Sequence, residues 1–280
     1  MTAPWRWIPP LEAEGAIQMA LDDWLLDQAL AGGPPVLRLY GWSRPTLSLG
    51  FHQRRLESHW PALAASGRLA LVRRPSGGRA VLHEPGQAGL TYALVQRPAQ
   101  VDRPGAYADA CRWLQRAFRE LGQPLSLGRA APRAPAPEQR PSCFATSTAA
   151  DLVQANGAKR IGSAQLWRRG QLLQHGSLLL APSAPLWREV FGDAPPPLPP
   201  LGLGTEELMT LLRRCAEQEL CGGALREQPL SGEEWAAVEA RAARYCWPAA
   251  GASLASSAAE ATSPLATIDR ATWARAMPSG

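Results

Sequence analysis

The chain has 280 residues, a formal net charge of +5, 46% hydrophobic residues and 11 tryptophans; this is enough to bury a full core and excludes wholesale disorder. No apolar run approaches the ~18 residues of a membrane span, and the first residues lack the charged-then-apolar layout of a signal peptide. A cytoplasmic protein with no membrane partner is therefore expected. Cys111, Cys143, Cys215, Cys221 and Cys246 are an odd set with no Cys-x-x-Cys spacing, and His52, His59, His83 and His175 are scattered, so a zinc motif and a complete disulfide framework are excluded and no metal is expected. The basic balance favours acidic partners, but the arginine pairs are spread along the chain without a basic block, so nucleic acid is not expected.

Helical spacing of apolar residues at Ala16, Ile17, Ala20, Leu21, Trp24, Leu25 and Ala29 predicts a helix over 12–30, closed by Gly32-Gly33. Short apolar or alternating runs at 36–40, 46–50, 69–73, 79–83 and 90–95 read as strands of a mostly antiparallel or mixed sheet. Helical spacing returns over 107–121. The proline-rich stretch 129–137 suits neither element and reads as a mobile loop that delivers the chain to Cys143. Asn156-Gly157 is a type I′ hairpin signal between strands at 151–155 and 159–167. A third strand at 171–180 follows the short turn Arg168-Arg169-Gly170, completing a β-meander. A second proline-rich passage, 194–200, precedes helices at 205–220 and 232–245, and the last ~30 residues, rich in Ala, Ser and Thr, read as a frayed tail.

Of the 29 lysines and arginines, a single one is lysine, Lys159, just past the Asn-Gly turn at the mouth of a strand. Arginine serves wherever surface charge alone is wanted; lysine differs where a compact ammonium with three rotatable donors is needed. Codon bias is the competing explanation. Sixteen positions upstream lies Ser142-Cys143-Phe144, and a thiol near a cation becomes a good nucleophile; the alternative is a buried, inert cysteine. Arg73-Arg74-Pro75-Ser76-Gly77-Gly78-Arg79-Ala80-Val81-Leu82-His83 places two glycines between strands, where backbone can approach a ligand and arginines can hold an anion or carbonyl. Equally, it is a plain Gly-Gly turn. Gly162-Ser163-Ala164-Gln165 puts small residues inside a strand, and Gln174-His175-Gly176-Ser177 breaks an apolar strand with glycine. His175 by itself reads as a packed, hydrogen-bonded residue ahead of a base.

Those segments, in their order and spacing, resemble the biotin/lipoate A/B protein ligase family, and within it are most similar to octanoyltransferases of the LipM type. The resemblance covers about residues 10–182. It implies an α/β (α+β) domain of the class II synthetase kind, a mixed sheet flanked by helices, over 1–193. A proline-rich linker at 194–204, a helical C-terminal extension at 205–248 and a disordered tail at 249–280 would follow. By resemblance, Cys143 is the acyl-accepting cysteine and Lys159 contacts the acyl carbonyl. Arg73, Arg74, Ser76, Gly77, Gly78, Arg79, Ala80, His83, Gly162, Ser163, Ala164, His175 and Gly176 would bind substrate. The chain departs from the family at Glu84 and Gly89, where an Asp and an Asn are usual, and at Ala145-Thr146-Ser147-Thr148 and Ala150-Asp151, where Pro-Ser and an aromatic-Glu pair are usual. The implied reaction moves octanoyl from acyl carrier protein to a lysine of a lipoyl domain or glycine-cleavage H protein, with no cofactor. The alternatives are a lipoate ligase using ATP and Mg, with Arg73, Arg74 and Lys159 around an acyl-adenylate, and a non-catalytic acyl-binding protein.

Overall fold

The computed structural model describes residues 4–100, 102–128, 142–145, 151–223 and 225–247; the 129–137 loop and the 249–280 tail expected from sequence lie outside them. In chain order the elements are β1 (Arg6–Ala13), α1 (Gly15–Leu30), β2 (Val36–Trp42), β3 (Thr46–Leu49), α2 (Trp60–Ala65), β4 (Ala70–Arg73), β5 (Val81–His83), β6 (Gly89–Gln96), α3 (Arg103–Glu120), β7 (Ser126–Leu127), β8 (Asp151–Val153), β9 (Lys159–Arg168), β10 (Gln171–Leu179), α4 (Ala184–Phe191), α5 (Thr205–Glu219), β11 (Arg226–Glu227) and α6 (Gly232–Ala242). Eight strands form a mixed sheet in the order β11-β1-β2-β6-β10-β9-β8-β7, and β4-β3-β5 form a second, smaller sheet. In the large sheet β1 runs parallel to both β2 and β11, while the β2-β6-β10-β9-β8-β7 pairs are antiparallel.

Both faces of the large sheet are covered. One packs Leu37, Leu39, Tyr92, Leu94, Ile161 and Leu178 against α3 and α5, and the other packs Ile8, Val36, Tyr40, Ala93 and Leu173 against α1 and α6. The small sheet has its own core with Trp60 of α2 and Leu186, Trp187 and Val190 of α4. Helix α1 lies in the middle of this arrangement, which is why it is buried almost all round, Gln18, Asp22 and Asp23 included. It begins at Gly15 and not at 12, because Glu12 and Ala13 still pair with β2. The segment read as a C-terminal extension packs on the same cores through Leu208, Leu212, Cys215 and Ala216 of α5 and Val238 and Ala242 of α6. No helix among the described residues is long and apolar enough to cross a membrane.

Three local features differ from the sequence reading. Strand β1 was unexpected because Pro9-Pro10 argues against a strand; the two prolines sit at a register shift between Ile8 and Leu11, where ladder donors are not required. Asn156-Gly157 is not a type I′ turn: Gly157 has φ 80°, but Arg169 is the only described non-glycine with positive φ. The turn closes through Gly157 N–H to Gln154 O at 2.9 Å and Gln154 N–H to Ala158 O at 2.9 Å, a type I turn followed by a left-handed glycine. The type I′ geometry belongs instead to the next hairpin, where Arg169 (φ 48°) and Gly170 (φ 81°) link Arg168 to Gln171. Helix α4 was also missed; its N-terminus is held by Ser183 and by Glu84, whose carboxylate accepts from Ser183 N at 3.1 Å and from Trp187 Nε1 at 3.1 Å. That is the structural work of Glu84.

Candidate active site

Where the small sheet leans on the large one, a small pocket open to solvent lies between them. Its floor is Gly162, Ser163 and Ala164 of β9 with His175, Gly176 and Ser177 of β10, and its walls include Met19, Tyr40, Trp42, Val81, His83, the Gly77-Gly78 turn and Cys143. Small residues on both strands leave the room. A side chain at Gly176 would come within 2.5 Å of Ser163 Oγ and Tyr92 Cε1, and below Gly176 the sheet is closed by hydrogen bonds between the Tyr92 and Ser163 hydroxyls and from Gln174 Nε2 to Tyr92 OH, both 2.8 Å.

At the pocket mouth Cys143 sits in a 3₁₀ turn, Cys143–Ala145, half-exposed. Its backbone N–H donates to Ala80 O at 2.9 Å, and Ser142 bridges Ala80, so the Arg79-Ala80 end of the glycine turn sets where the thiol stands. Lys159, 16 positions on, reaches back to it. The ammonium donates to Asp151 Oδ1 at 2.7 Å and to Cys143 O at 2.8 Å and lies 3.5 Å from Cys143 Sγ. Lys159 and Asp151 side chains are 2% and 3% exposed, and the Phe144 ring faces the ammonium at 4.8 Å from its centroid. Gly162 makes this fold-over possible: a Cβ there would be 2.6 Å from Lys159 Cε. All five thiols are free, and among the described residues no cluster of three His, Cys, Asp or Glu side chains could hold a metal.

The Ser76-Gly77-Gly78 turn is held from two sides. Arg74, buried, spends its guanidinium on Ser48 O (2.8 Å), Gly77 O (2.7 Å) and Arg79 O (2.7 Å). Burial pulls it down to about 10, with Arg73 adding to that and the charge of Cys143 opposing it, so it remains a cation near the thiol. Arg73 binds Gly50 O, Phe51 O and Gln53 O at 2.7 to 3.1 Å and lies over the Trp247 ring. Both guanidiniums brace backbone carbonyls that a tight glycine turn leaves unpaired, and Arg74 also lines the pocket. The crossing is close enough that a Cβ on Gly50 would fall 1.9 Å from Gly78 O, and Gly78 has φ 102°. Arg79 is exposed and contributes its carbonyl.

From the other side, Ser76 Oγ lies 2.5 Å from His175 Nε2, and His175 Nδ1 donates to Asp22 Oδ2 at 2.7 Å. Asp22 Oδ1 accepts from Arg38 Nε (2.9 Å) and Nη2 (2.6 Å), and Tyr40 OH donates to Oδ2 at 3.0 Å. Burial would raise the Asp22 carboxyl, but the charge of Arg38 and the His175 hydrogen bond outweigh it and hold it below the ordinary value. His175 is thus a hydrogen-bonded link between α1 and the turn, as its lone position in the sequence suggested. His83 stacks on Trp42 at 3.8 Å and bonds Ser48 Oγ at 2.9 Å. Burial, then the neighbouring charges of Arg74 and His175, hold it well below the usual histidine value, so it is neutral at pH 7. Its Nδ1 has no hydrogen-bond partner among the described residues.

Sequence reasoning brought Cys143, Lys159, the glycine turn and the small-residue strands to one place. It missed Asp151, Asp22, Arg38 and Ser48. For Asp22 a signal existed, since a carboxylate amid the apolar residues of a helix needs a buried partner; for Asp151 there was none beyond its place in the strand that pairs with the lysine strand.

The lipoyl protein ligase A/B catalytic domain family matches residues 14–194. The octanoyltransferase LipM of Kyrpidia tusciae is 38% identical over 188 residues, which is 63% of this chain and 66% of that protein, just under two thirds of its length. That of Symbiobacterium thermophilum is 36% identical over 225 residues, 76% of each chain, and that of Bacillus subtilis is 36% identical over 191 residues, 63% of this chain and 65% of its own. Among solved structures, Ta0514 of T. acidophilum with bound lipoic acid superimposes with a TM-score of 0.69 at 19% identity, over 85% of this chain and 94% of that one. Lipoate-protein ligase A bound with ATP gives 0.68 at 19% identity, with the same coverage. These structures share the mixed sheet flanked by helices.

Proposed function

The chain belongs to the lipoyl protein ligase A/B catalytic domain family, and from that premise we propose that it is an octanoyltransferase working through a thioester on Cys143. The observation that carries this reading is the 3.5 Å approach of Lys159 Nζ to Cys143 Sγ at the mouth of the pocket; the likeness to LipM octanoyltransferases supports it. Octanoyl arrives as a thioester on acyl carrier protein. The Cys143 sulfur attacks the carbonyl, the carrier sulfur leaves, and the proton from Cys143 goes to the departing thiolate. In the second half, a lysine amine of a lipoyl domain or H protein attacks the Cys143 thioester; an amide forms, the carbon–sulfur bond breaks, and the amine proton ends on Cys143. Lys159 steadies the sulfur wherever negative charge develops on it, the role of a preorganised donor, and Cys143 divides one transfer into two. The pocket residues Gly77, Gly78, His83, Gly162, Ser163, Ala164, His175 and Gly176 shape the cavity for the acyl chain, while Ser76, bonded to His175, and Ala80, bonded to Cys143, stand behind the lining and hold it in place. No cofactor enters this scheme.

An ATP-dependent ligase on the same fold would need cations free for an acyl-adenylate; Arg73 and Arg74 are both engaged with backbone carbonyls, which weighs against that reading. The test is purified protein with octanoyl carrier protein and a lipoyl-domain acceptor, with and without ATP. Transfer without ATP, together with one octanoyl mass on Cys143 that neutral hydroxylamine removes when acceptor is withheld, supports the transferase. Transfer only from free acid with ATP makes it a ligase, and bound acyl chain without transfer makes it a binding protein.

A further inference from the structure

Lys159 is chemically the same kind of nucleophile as the acceptor the reaction is meant to serve. It stands 3.5 Å from the sulfur that would carry the acyl group. A neutral amine at that distance would take the acyl group itself: a bond from Nζ to the carbonyl carbon forms, the carbon–sulfur bond breaks, the amine proton passes to sulfur, and a stable amide ends catalysis. Well-oriented intramolecular attack of this kind carries effective molarities on the order of 10⁵–10⁸ M, so an unprotected lysine would outcompete any acceptor in solution.

The surroundings of Nζ answer this. Among the described residues three acceptors lie around it: Asp151 Oδ1 at 2.7 Å, Cys143 O at 2.8 Å and Cys143 Sγ at 3.5 Å. An ammonium has three N–H donors and no lone pair, whereas a neutral amine has two donors and would turn its lone pair on one of these acceptors. Among the described residues, the charged and titratable groups facing the site are Asp151 from β8, Cys143 from the 3₁₀ turn and, beyond the thiol in the pocket, Arg74, His83 and His175; Asp151 alone among these brings a carboxylate. Both side chains of the pair are buried, so the attraction is little screened by water.

We propose that Asp151 is a positioning residue that guards Lys159 against self-acylation, locking its lone pair as an ammonium with one N–H committed to the carboxylate and another left for the Cys143 sulfur. This rests on the thioester reading above. The rest of the sequence agrees with it, because guanidinium stays protonated and cannot accept an acyl group, and Lys159 is the one lysine among 29 cationic side chains. A single vulnerable amine is therefore paired with a buried carboxylate.

The full-length wild type, D151N and D151E are incubated with octanoyl carrier protein without acceptor, sampled over hours, treated with neutral hydroxylamine and digested for mass spectrometry of the Lys159 peptide. The wild type is expected to hold a hydroxylamine-labile octanoyl group on Cys143 and to leave Lys159 unmodified. D151N should accumulate a resistant octanoyl amide on Lys159, at least ~10-fold above wild type, while its turnover decays in step, and D151E, which keeps the charge, should suppress the amide. A D151N enzyme that forms the Cys143 thioester and stays free of the amide overturns the proposal, as does a wild type that forms the amide equally fast. If D151N does not fold, D151S, which also removes the carboxylate, takes its place: a D151S enzyme that forms the Cys143 thioester and stays free of the Lys159 amide overturns the proposal. A wild type with no labile adduct on Cys143 at all overturns the proposed function itself, and this proposal with it.

Discussion

Replacing Lys159 by arginine keeps the charge opposite Asp151 while changing the shape of the donor. The cage around the ammonium is tight: acceptors at 2.7 and 2.8 Å, Gly162 against Cε and the Phe144 ring on one side. A planar guanidinium is larger and cannot keep contacts to Asp151, Cys143 O and Cys143 Sγ at once. Overfilling a packed site of this kind costs about 1–3 kcal/mol of stability. Loss of the donor aimed at sulfur should cost about 10²–10³ in rate, the scale of one preorganised donor. Lysine to methionine is a different experiment, since it strands a buried Asp151 charge and should cost roughly 3–5 kcal/mol of stability; pairing it with Asp151→Leu should recover most of that stability and none of the activity. The assay is twofold: thermal unfolding for each variant, and the rate of octanoyl adduct formation on Cys143 by mass spectrometry, which isolates the first half-reaction. Adduct formation by Lys159→Arg within a few-fold of wild type would refute the claim that a compact ammonium is required at the sulfur.

Three further outcomes are expected. Burial pushes the Cys111 and Cys221 thiols up to about 12 and raises Cys215 as well, so limited alkylation of the native protein near pH 8 should label Cys143 ahead of these three; peptide mapping that finds one of them ahead of it contradicts this. Asp22→Asn should destabilise by about 3–5 kcal/mol, because it leaves Arg38 buried without its counter-charge. In the wild type the Asp22 carboxyl is depressed on folding, so its contribution is full above the unfolded carboxylate value near ~3.9 and is lost as pH falls through the lower folded value; denaturant titrations from pH 7 to pH 3 should show the wild type beginning to lose stability through this group below about pH 4, by about 1 kcal/mol at pH 3, and the variant not. Gly162→Ala should leave the fold intact while lowering adduct formation at least ~10-fold, since its Cβ would meet Lys159 Cε at 2.6 Å and Nζ at 3.0 Å and the flexible lysine is what yields; an unchanged rate would mean that the lysine position is not critical.

Periodicity and turn chemistry are local, and what they encode was legible in the sequence. The apolar faces of α1, α3 and α5, the β9–β10 hairpin and the small residues Gly162, Ala164 and Gly176 all follow from spacing that the chain carries with it. So does the conjunction of one lysine with one upstream cysteine, a statement about residue types that needs no coordinates. Pairings between distant segments are different, because the chain does not announce its partners: Asp151 is eight positions from Lys159 and Asp22 is 153 from His175, and in each case only the sheet register and helix packing bring the charges together. The two arginines of the glycine turn show the same limit. Their type suggested an anion or a carbonyl, and only the folded backbone shows that the carbonyls of Ser48, Gly50 and Gly77 are in need of donors and take the guanidiniums. Likewise β1 carries a Pro-Pro that propensity rejects and that a register shift accommodates, and Asn156-Gly157 has the residues of a type I′ turn, whereas the two-residue loop with positive φ at both positions falls at Arg169-Gly170. Turn type follows from loop length and strand register, which tertiary pairing decides, and residue preference only biases it.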